Sequence, residues 1–469
     1  MVIGLMAFTV MTSCVPVRKM KAEHRKIPDD FGTTIDYTNM AAMPWKDFFK
    51  DPNLIALIDT ALHANQELNI VLQEIEISQN EVMARKGEYL PALGLAAGAG
   101  VDKTARYTPL GANEATTDIE PGLAMPDPVP DIMVGVFASW ELDIWKKLRN
   151  TKKAAAMRYL ATTEGKNFMV TRLIAEIATS YYELLALDNQ LAILQQNINL
   201  QNNALEIVKA QKQSARVTEL AVRRFEAQVL HTRSLQYAIK QQIVETENKL
   251  NFLVGRFPQH IDRDYNTFFD FQVEAVATGV PAQLLANRPD IRQAEFMLAA
   301  SKLDVNAARA QFYPGMRITA GIGLQAFNPA YLAKTPESML YSLAGDLVAP
   351  LINRKAIKAA YFNANAKQIQ SVFTYEQTIL SAYIEVYNQV SNLANLEKSY
   401  DLKQKQVKAL VESIQISNDL FRSARADYME VLLTQRDALE SRFELVETKK
   451  QLLSAMVQLY QALGGGWQS

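Results

Sequence analysis

Val170, Ile177, Leu184, Leu191, Ile198 and Leu205 fall seven residues apart without a gap, and Leu173, Leu187, Leu194 and Val208 supply most of the positions three residues on. A repeat of seven keeps one helix face turned toward a partner, so this run must pack lengthwise on neighbouring helices. The pattern then occurs a second time, in Val372, Ile379, Val386, Leu393, Tyr400, Val407, Ile414 and Phe421. A shift of about 209 residues carries Val170 onto Ile379 and Leu205 onto Ile414; it also carries Ser214-Ala215-Arg216 onto Ser423-Ala424-Arg425 and Gly255 onto Gly464. Phase and identity together make this an internal duplication. From Lys146 to Gln213 the first helix would span on the order of 100 Å at 1.5 Å per residue. Each long helix breaks at its Ser-Ala-Arg turn, from which a returning helix runs back to the glycine.

Ahead of each long helix the period changes from helical to two. A helical stretch runs from Asp51-Pro52 to about Tyr89 and stops at Pro91. Leu93, Leu95, Ala97, Ala99 and Val101 then share one face, against Gly94, Ala96, Gly98, Gly100 and Asp102. Arg106 to Asp131 is a loop rich in Pro and Gly that carries Glu114, Asp118, Glu120 and Asp127. In the next run Ile132, Val134, Val136, Ala138, Trp140 and Leu142 oppose Met133, Gly135, Phe137, Ser139, Glu141 and Asp143. Phe312-Tyr313-Pro314 answers Tyr89-Leu90-Pro91 in the second half, where Met316, Ile318, Ala320, Ile322 and Leu324 alternate with Arg317, Thr319, Gly321, Gly323 and Gln325. Met339 to Val348 alternates less cleanly, with Tyr341 and Leu343 opposite Ser342 and Asp346. Each half therefore reads helix, strand, loop, strand, long helix, turn, helix.

Strands of about ten residues are long enough to cross a bilayer, and a face such as Ile132/Val134/Val136 with Trp140 near one end suits lipid. The face of Gly321 and Gly323 with Arg317, Thr319 and Gln325 suits a watery lumen. A soluble sandwich would alternate in the same way; the long helices and the duplication weigh against it. Four strands cannot close a barrel, and an open sheet edge is untenable in hydrocarbon, so the chain must oligomerise.

The totals exclude several classes. Net charge is −1, from 49 basic and 50 acidic residues among 469, so no overall field favours nucleic acid. The four histidines, His24, His63, His231 and His260, are far apart, and no phosphate-binding, dinucleotide or nucleophile-elbow motif occurs. We expect no enzyme, no cofactor and no metal. No run of eighteen apolar residues forms a helical membrane span.

Between the halves stands GVPAQLLANRPDIRQAEFMLAASKLDVNAARAQFYPGMRITAGIG, from Gly279 to Gly323. Pro289 suits the first turn of a helix, and Asp290 sets negative charge at the positive end of its dipole. Gly279-Val280-Pro281, Leu284-Leu285, Arg288-Pro289-Asp290-Ile291, Ala294-Glu295 and Ala299-Ala300 match the GLPxxLLxxRPDIxxAExxLxAA stretch of TolC-like outer-membrane efflux proteins. The chain resembles the lipoprotein (NodT/OprM-type) branch of that family, which serves resistance-nodulation-division pumps. The resemblance covers about Asp51 to Gly464. It implies a mixed α and β membrane protein: a homotrimeric 12-stranded β-barrel, four strands per chain, continued by a long α-helical barrel into the periplasm. The function it implies is a passive exit channel for small toxic molecules or drugs, working with a periplasmic adaptor and an inner-membrane resistance-nodulation-division pump. A protein-secretion duct would share the fold, and a periplasmic coiled-coil adaptor would explain the heptads alone.

On this reading residues 1–13 are a signal peptide, 14–50 a lipid-anchored spacer, 51–255 the first repeat with strands about 92–103 and 131–143, and 256–288 an equatorial segment between repeats. Residues 289–464 form the second repeat, with strands about 315–326 and 339–349, and 465–469 a tail. Cys14, the only cysteine, follows the apolar run Val2–Val10 and Thr12-Ser13, which resembles a bacterial lipobox with Met11 where Leu is usual. Cys14 is thus the expected lipidation site in the outer membrane. The basic stretch Arg18, Lys19, Lys21, Arg25 and Lys26 reads as a solvated spacer, with anionic headgroups as the alternative. The turns Ser214, Ala215, Arg216 and Ser423, Ala424, Arg425 are candidate adaptor contacts. They depart from the aromatic-x-x-Gly usual in the family, since Lys212/Ala215 and Phe421/Ala424 stand there, and Leu433 replaces a gate aspartate. Arg422, Arg425, Asp427 and Glu430 are the candidate periplasmic gate, a ring of carboxylates held closed by cations, with an ordinary solvated turn as the alternative.

Overall fold

The computed structural model describes residues 16, 18–31, 38–271, 277–350, 354–423 and 425–468. Its main elements are helices α1 (Pro52–Ala64) and α2 (Gln66–Tyr89), strands β1 (Ala92–Asp102) and β2 (Val129–Leu142), and helices α3 (Lys147–Gln213) and α4 (Glu219–Val254). The second half supplies α5 (Pro289–Ala310), β3 (Gly315–Ala326), β4 (Met339–Val348), α6 (Lys355–Arg422) and α7 (Tyr428–Ala462). The repeat has two phases. From α2 to α5 and from β1 to β3 the shift is 223 residues, whereas from α4 to α7 it is 209. The loop between the paired strands accounts for the difference, with 26 residues in the first half and 12 in the second. The longer loop folds on itself as the short helix Pro109–Glu114 and a ribbon of Asp118–Glu120 with Leu123–Ala124.

The helical stretch expected from Asp51 to Tyr89 is broken at Asn65. Its amide nitrogen donates to the Leu253 carbonyl at 2.8 Å, and its oxygen accepts from the Leu68 N–H at 2.8 Å. One side chain thus caps the start of α2 and ties it to the end of α4. The chain divides into two compact units. One comprises Glu76–Leu160 and Phe296–Phe373 with the N-terminal stretch to Ala22; the other comprises Glu23–Ile75, Ala161–Glu295 and Thr374–Ser469.

The first unit holds the sheet, antiparallel in the order β1-β2-β3-β4, whose outer strands pair with no further strand among the described residues. At the exit of β2, the buried Asp143 accepts from the N–H groups of Leu148 and Arg149 at 2.9 Å and from the Arg149 Nε at 3.1 Å. That fixes the sharp turn from strand to helix, in which Lys146 has φ 62°. Trp145 stacks on Tyr313 at 4.6 Å and donates to the Pro314 carbonyl, locking α3 to the start of β3.

The second unit is a helical assembly with a core of Trp45, Phe49, Leu54, Ile58, Tyr181, Leu184, Leu250, Val446 and Tyr460. Leu187 and Leu194 of α3 pack with Ile239 of α4 and Leu439 of α7. Helix α7 in turn pairs with α6, through Lys403–Glu444 at 3.0 Å and Gln389–Gln458 at 3.1 Å. Of the second heptad, Val372, Ile379, Val386 and Leu393 are buried, while Tyr400, Val407 and Ile414 are half-buried.

The basic stretch is not a free spacer. Lys21 donates its N–H to Gln368 Oε1 at 3.0 Å and accepts from Gln368 Nε2 at 2.8 Å, so the glutamine reads the backbone like a neighbouring strand. Arg18 shares its N–H and carbonyl with the Tyr361 hydroxyl in the same way. Their side chains lie over rings, Arg18 over Phe362 at 4.1 Å and Lys21 over Phe373 at 3.5 Å. In the other unit His24 and Asp30 meet Glu376 and Tyr383. Extended backbone covers about 9 Å in three residues and a helix about 10.5 Å in seven, which is why Arg18 and Lys21 match Tyr361 and Gln368.

Candidate functional site

The strand register brings the four alternating patterns onto common faces. Leu95, Val136, Ile322 and Tyr341 lie abreast, as do Leu93, Ala138, Ala320 and Leu343. That face is apolar over all four strands. Its Val134, Val136 and Ile322 are exposed within the chain. At its edge Trp140 donates its indole N–H to the Tyr89 carbonyl at 3.1 Å. The other face sets Gly94, Phe137, Gly321 and Ser342 abreast, then Ala92, Ser139, Thr319 and Ala344, then Glu141, Arg317 and Asp346. It is a small and polar surface with alternating charge at one end, a favourable cross-strand order. Gln325 adds a 2.8 Å hydrogen bond to Asp131 at the other end. Large apolar side chains interrupt this face at Met133, Phe137 and Leu340, and for Phe137 the glycine opposite explains the fit. A Cβ at Gly321 would come within 2.8 Å of the Phe137 ring, so the missing side chain makes the slot into which the ring fits.

The helix ends far in sequence from the strands form the second candidate site. At the end of α3, the Ala215 N–H reaches the Lys212 carbonyl and the Arg216 N–H reaches the Gln211 carbonyl, both at 2.9 Å. This is a Schellman closure, whose C′ residue must be left-handed. Ala215 sits there with φ 56°, where glycine would be unstrained. In the second repeat the Arg425 N–H reaches the Leu420 carbonyl at 2.9 Å, the counterpart of the bond from Arg216. Leu205, Val208, Val222, Phe225 and Val431 form one apolar cluster, with Phe421, Tyr428 and Leu432 against it. The structure therefore packs both turns on a shared base, and Arg224 Nη1 donates to Met429 Sδ at 2.6 Å beside it.

Charges around the first turn are paired off. Lys209 pairs with Glu206 at 2.8 Å, Lys212 with Glu219, and Arg223 with both Glu219 and Glu226 at 2.9 Å. The hydrogen bond from Lys212, with Arg223 nearby, holds the Glu219 carboxyl below the usual carboxylate range. Arg422, Arg425, Asp427 and Glu430 are all exposed, and among the described residues no ion pair joins any two of them. Asp427 stands at the N-cap of α7 without a capping bond from its side chain. Leu433 is exposed as well. Cys14 and Ala424 lie outside the described residues.

The Arg-Pro-Asp of the central stretch is a structural clamp. Arg288 is buried; it donates to both oxygens of Asp290 at 3.0 and 2.7 Å, to Glu385 at 2.8 Å and to the Ala462 carbonyl at 2.7 Å. Burial opposes the charge of Arg288, yet the Asp290 and Glu385 carboxylates more than offset it, so its pKa is raised. Among the described residues no group of three or more His, Cys, Asp or Glu side chains is placed to hold a metal ion, and no helix is long and apolar enough to cross a membrane. Sequence reasoning had no signal for the Asp143 cap, whose partners lie five and six residues on. It had none for the shared base of the two turns.

Comparison with known proteins places these features. The profile of the outer membrane efflux protein family matches residues 57–256 and 280–465. The pyoverdine export outer membrane protein OpmQ of Pseudomonas aeruginosa is 27% identical over 91% of this chain and 88% of its own length. The cation efflux system protein CusC of Escherichia coli is 26% identical over 90% and 88%. In structure, the open state of the Neisseria gonorrhoeae MtrE outer membrane channel superposes with a TM-score of 0.84 at 23% identity, over 97% of this chain and 99% of that one. The fold is thus that of the mixed α and β outer-membrane channels, duplication included. The chain belongs to the outer membrane efflux protein family.

Proposed function

We propose that three copies of this chain assemble into a passive exit channel of the outer membrane, the last component of a tripartite pump that exports small toxic molecules. The observation that carries this reading is the sheet. It has one face apolar across four strands, a small and polar opposite face, and two unpaired edges, β1 and β4. Such a sheet is stable in lipid only when neighbouring copies pair the edges and close the ring. Three copies give twelve strands.

The helices support the same assembly. Leu230, Tyr237 and Val244 repeat at seven residues on the outer face of α4, with Tyr237 71% exposed. Leu380, Ile384 and Tyr387 of α6 are likewise uncovered, with Leu380 59% exposed. These are second heptad seams that one chain leaves without a partner, and the next copy is the partner whose symmetry fits. The periplasmic adaptor docks on the Ser-Ala-Arg turns, an inner-membrane pump supplies energy, and Asp427 and Glu430 with Arg422 line the constriction. Relatives named for pyoverdine and for cations have nearly equal identity, so we assign no single cargo. Cys14 carries the lipid anchor: Cys14→Ser should abolish incorporation of labelled fatty acid, and label that persists would remove it as the site.

The test is native mass and single-particle imaging of detergent-extracted protein, followed by conductance in planar bilayers. The reading requires a trimer with a single tube and a pore. A stable monomer, or a trimer without conductance in any state, would refute it.

A further inference from the structure

We propose that the first turns of α3 and α6, with the N-terminal stretch that lies along α6, form a cationic belt that binds the phosphates of anionic phospholipids. The proposal rests on the reading of the sheet as part of a bilayer-spanning barrel. The whole chain carries 49 basic and 50 acidic residues, yet three of its stretches hold no carboxylate. Residues 144–163, which open α3, have six cations; residues 347–375, which open α6, have four; residues 1–22 have three. Leu142 and Leu347, where β2 and β4 end, flank Met316 in the register, so both helices start at the same end of the sheet. The opposite end has the reverse sign. Residues 102–131 carry six carboxylates against Lys103 and Arg106.

Part of this charge is used inside the fold. Lys147, Arg149 and Arg158 pair with Glu141, Asp143 and Asp304. Among the described residues no carboxylate pairs with Arg18, Lys19, Lys152, Lys153, Lys355 or Lys358. Arg18 and Lys358 even lie over one ring, Phe362, at 4.1 and 5.5 Å. Arg18 is not free to leave, because its N–H and carbonyl are bonded to the Tyr361 hydroxyl at 3.2 and 3.3 Å. Like charges held beside one ring repel, and an anion between them turns that repulsion into attraction. The direction of the belt follows from Lys147, which reaches Glu141 on the small and polar face of the sheet. Helical spacing turns Lys152 and Lys153 to the other side, toward lipid. Ile144 and Trp145 are exposed at the head of α3, and an indole beside cations is the usual company of lipid headgroups. Arg18 stands four residues after Cys14. Four residues reach at most about 14 Å, so an acylated Cys14 keeps Arg18 at headgroup depth. A phosphodiester anchored by its own chains meets both requirements, charge and depth.

The full-length protein is reconstituted in phosphatidylcholine vesicles with a trace of spin-labelled phosphatidylglycerol or phosphatidylcholine, and electron paramagnetic resonance reads the motionally restricted fraction. We expect phosphatidylglycerol to be favoured about threefold, and the preference to vanish near 1 M salt, where the Debye length is about 3 Å. Lys152→Gln, Lys153→Gln, Lys355→Gln and Lys358→Gln together should at least halve the preference. Lys240→Gln, Lys398→Gln, Lys405→Gln and Lys408→Gln, the same loss of charge in the second unit, should leave it unchanged. If the first set yields no trimer by native mass, Lys355→Gln with Lys358→Gln should still lower it. Glycerophosphoglycerol, the same headgroup without chains, should not compete in excess; competition would make this a free-phosphate site and overturn the lipid assignment. Equal restriction of the two lipids by an assembled trimer would overturn the belt and leave the channel reading intact. A chain that enters no vesicle would overturn both.

Discussion

An arginine placed at Val134 tests the register of the sheet against the bilayer. Val134 lies midway along β2, between Ala97 and Leu324, on the face that is apolar across all four strands. A cation there would face mid-bilayer hydrocarbon, at a cost of roughly 2–4 kcal/mol per chain. Three copies bring roughly 6–12 kcal/mol to one trimer, which is comparable with the whole stability of many domains. Ser342 lies on the opposite face beside Gly321, three strand pairs nearer the helices than Val134, and Thr319 lies on that face two pairs further on. An arginine at either position would reach the watery lumen and should change stability by no more than about 0.5 kcal/mol. The assay is trimer yield by native gel and the urea midpoint of protein reconstituted in lipid vesicles. Val134→Arg should lose most of its trimer while Ser342→Arg and Thr319→Arg keep theirs. Equal losses at the three positions, or a greater loss at Ser342, would mean that the apolar face does not meet lipid.

Ala215→Gly should relieve the left-handed strain and raise stability by about 1 kcal/mol, read as slower amide exchange at the end of α3. No change in exchange would show that the turn is already unstrained. Arg288→Met should destabilise by about 3–5 kcal/mol, because it strands Asp290, Glu385 and the Ala462 carbonyl, and Arg288→Lys should recover only part. A thermal midpoint unchanged in Arg288→Met would refute the clamp. Glu430→Gln with Asp427→Asn should weaken block of the channel by divalent cations without altering trimer yield; block that persists would move the constriction elsewhere.

Long-range pattern was legible in the sequence, and single polar side chains were not. The heptads from Val170 and from Val372 each became one unbroken helix, because a run of equally spaced apolar residues leaves little choice of conformation. The alternating stretches became strands for the same reason, and their pairing followed from matching the faces. The break at Asn65 was hidden because Leu54, Leu57, Ile58 and Leu62 run on into Ile70 and Ile75 with helical spacing. What ends α1 is a hydrogen bond to Leu253, nearly two hundred residues away, and no local signal reports it. The residues around Arg18 and Lys21 were read as solvated because they are charged. Their chains lie over Phe362 and Phe373, whose rings the sequence alone could not bring near. At the turns, sequence located the Ser-Ala-Arg repeats but could not show that they share one apolar base.

The two halves also show which parts of the duplicated plan are fixed by backbone and which by side chain. A Cβ at Gly255 would fall 2.4 Å from the Ala64 carbonyl oxygen, and one at Gly464 would fall 2.6 Å from that of Asn287. Both glycines have positive φ, and each lies beside the start of its repeat's strand-bound helix, α2 or α5. Close approach of two backbones demands glycine whatever surrounds it, so the residue is the same in both places. The carbonyl two residues earlier must also find a donor, but any donor of suitable reach will serve. Asn65 supplies it to Leu253 in the first half, and Arg288 supplies it to Ala462 in the second. The arginine then needs carboxylates where the asparagine needs none, and Asp290 and Glu385 are present for that reason. Both exchanges should therefore destabilise, but unequally. Arg288→Asn strands Asp290 and Glu385 as Arg288→Met does, at a cost of about 3–5 kcal/mol that solvent at the partly exposed Glu385 limits. Asn65→Arg puts an unmatched guanidinium into a buried position, and should cost several kcal/mol more. Equal destabilisation by the two substitutions would show that the donor, and not its charge, sets the whole cost.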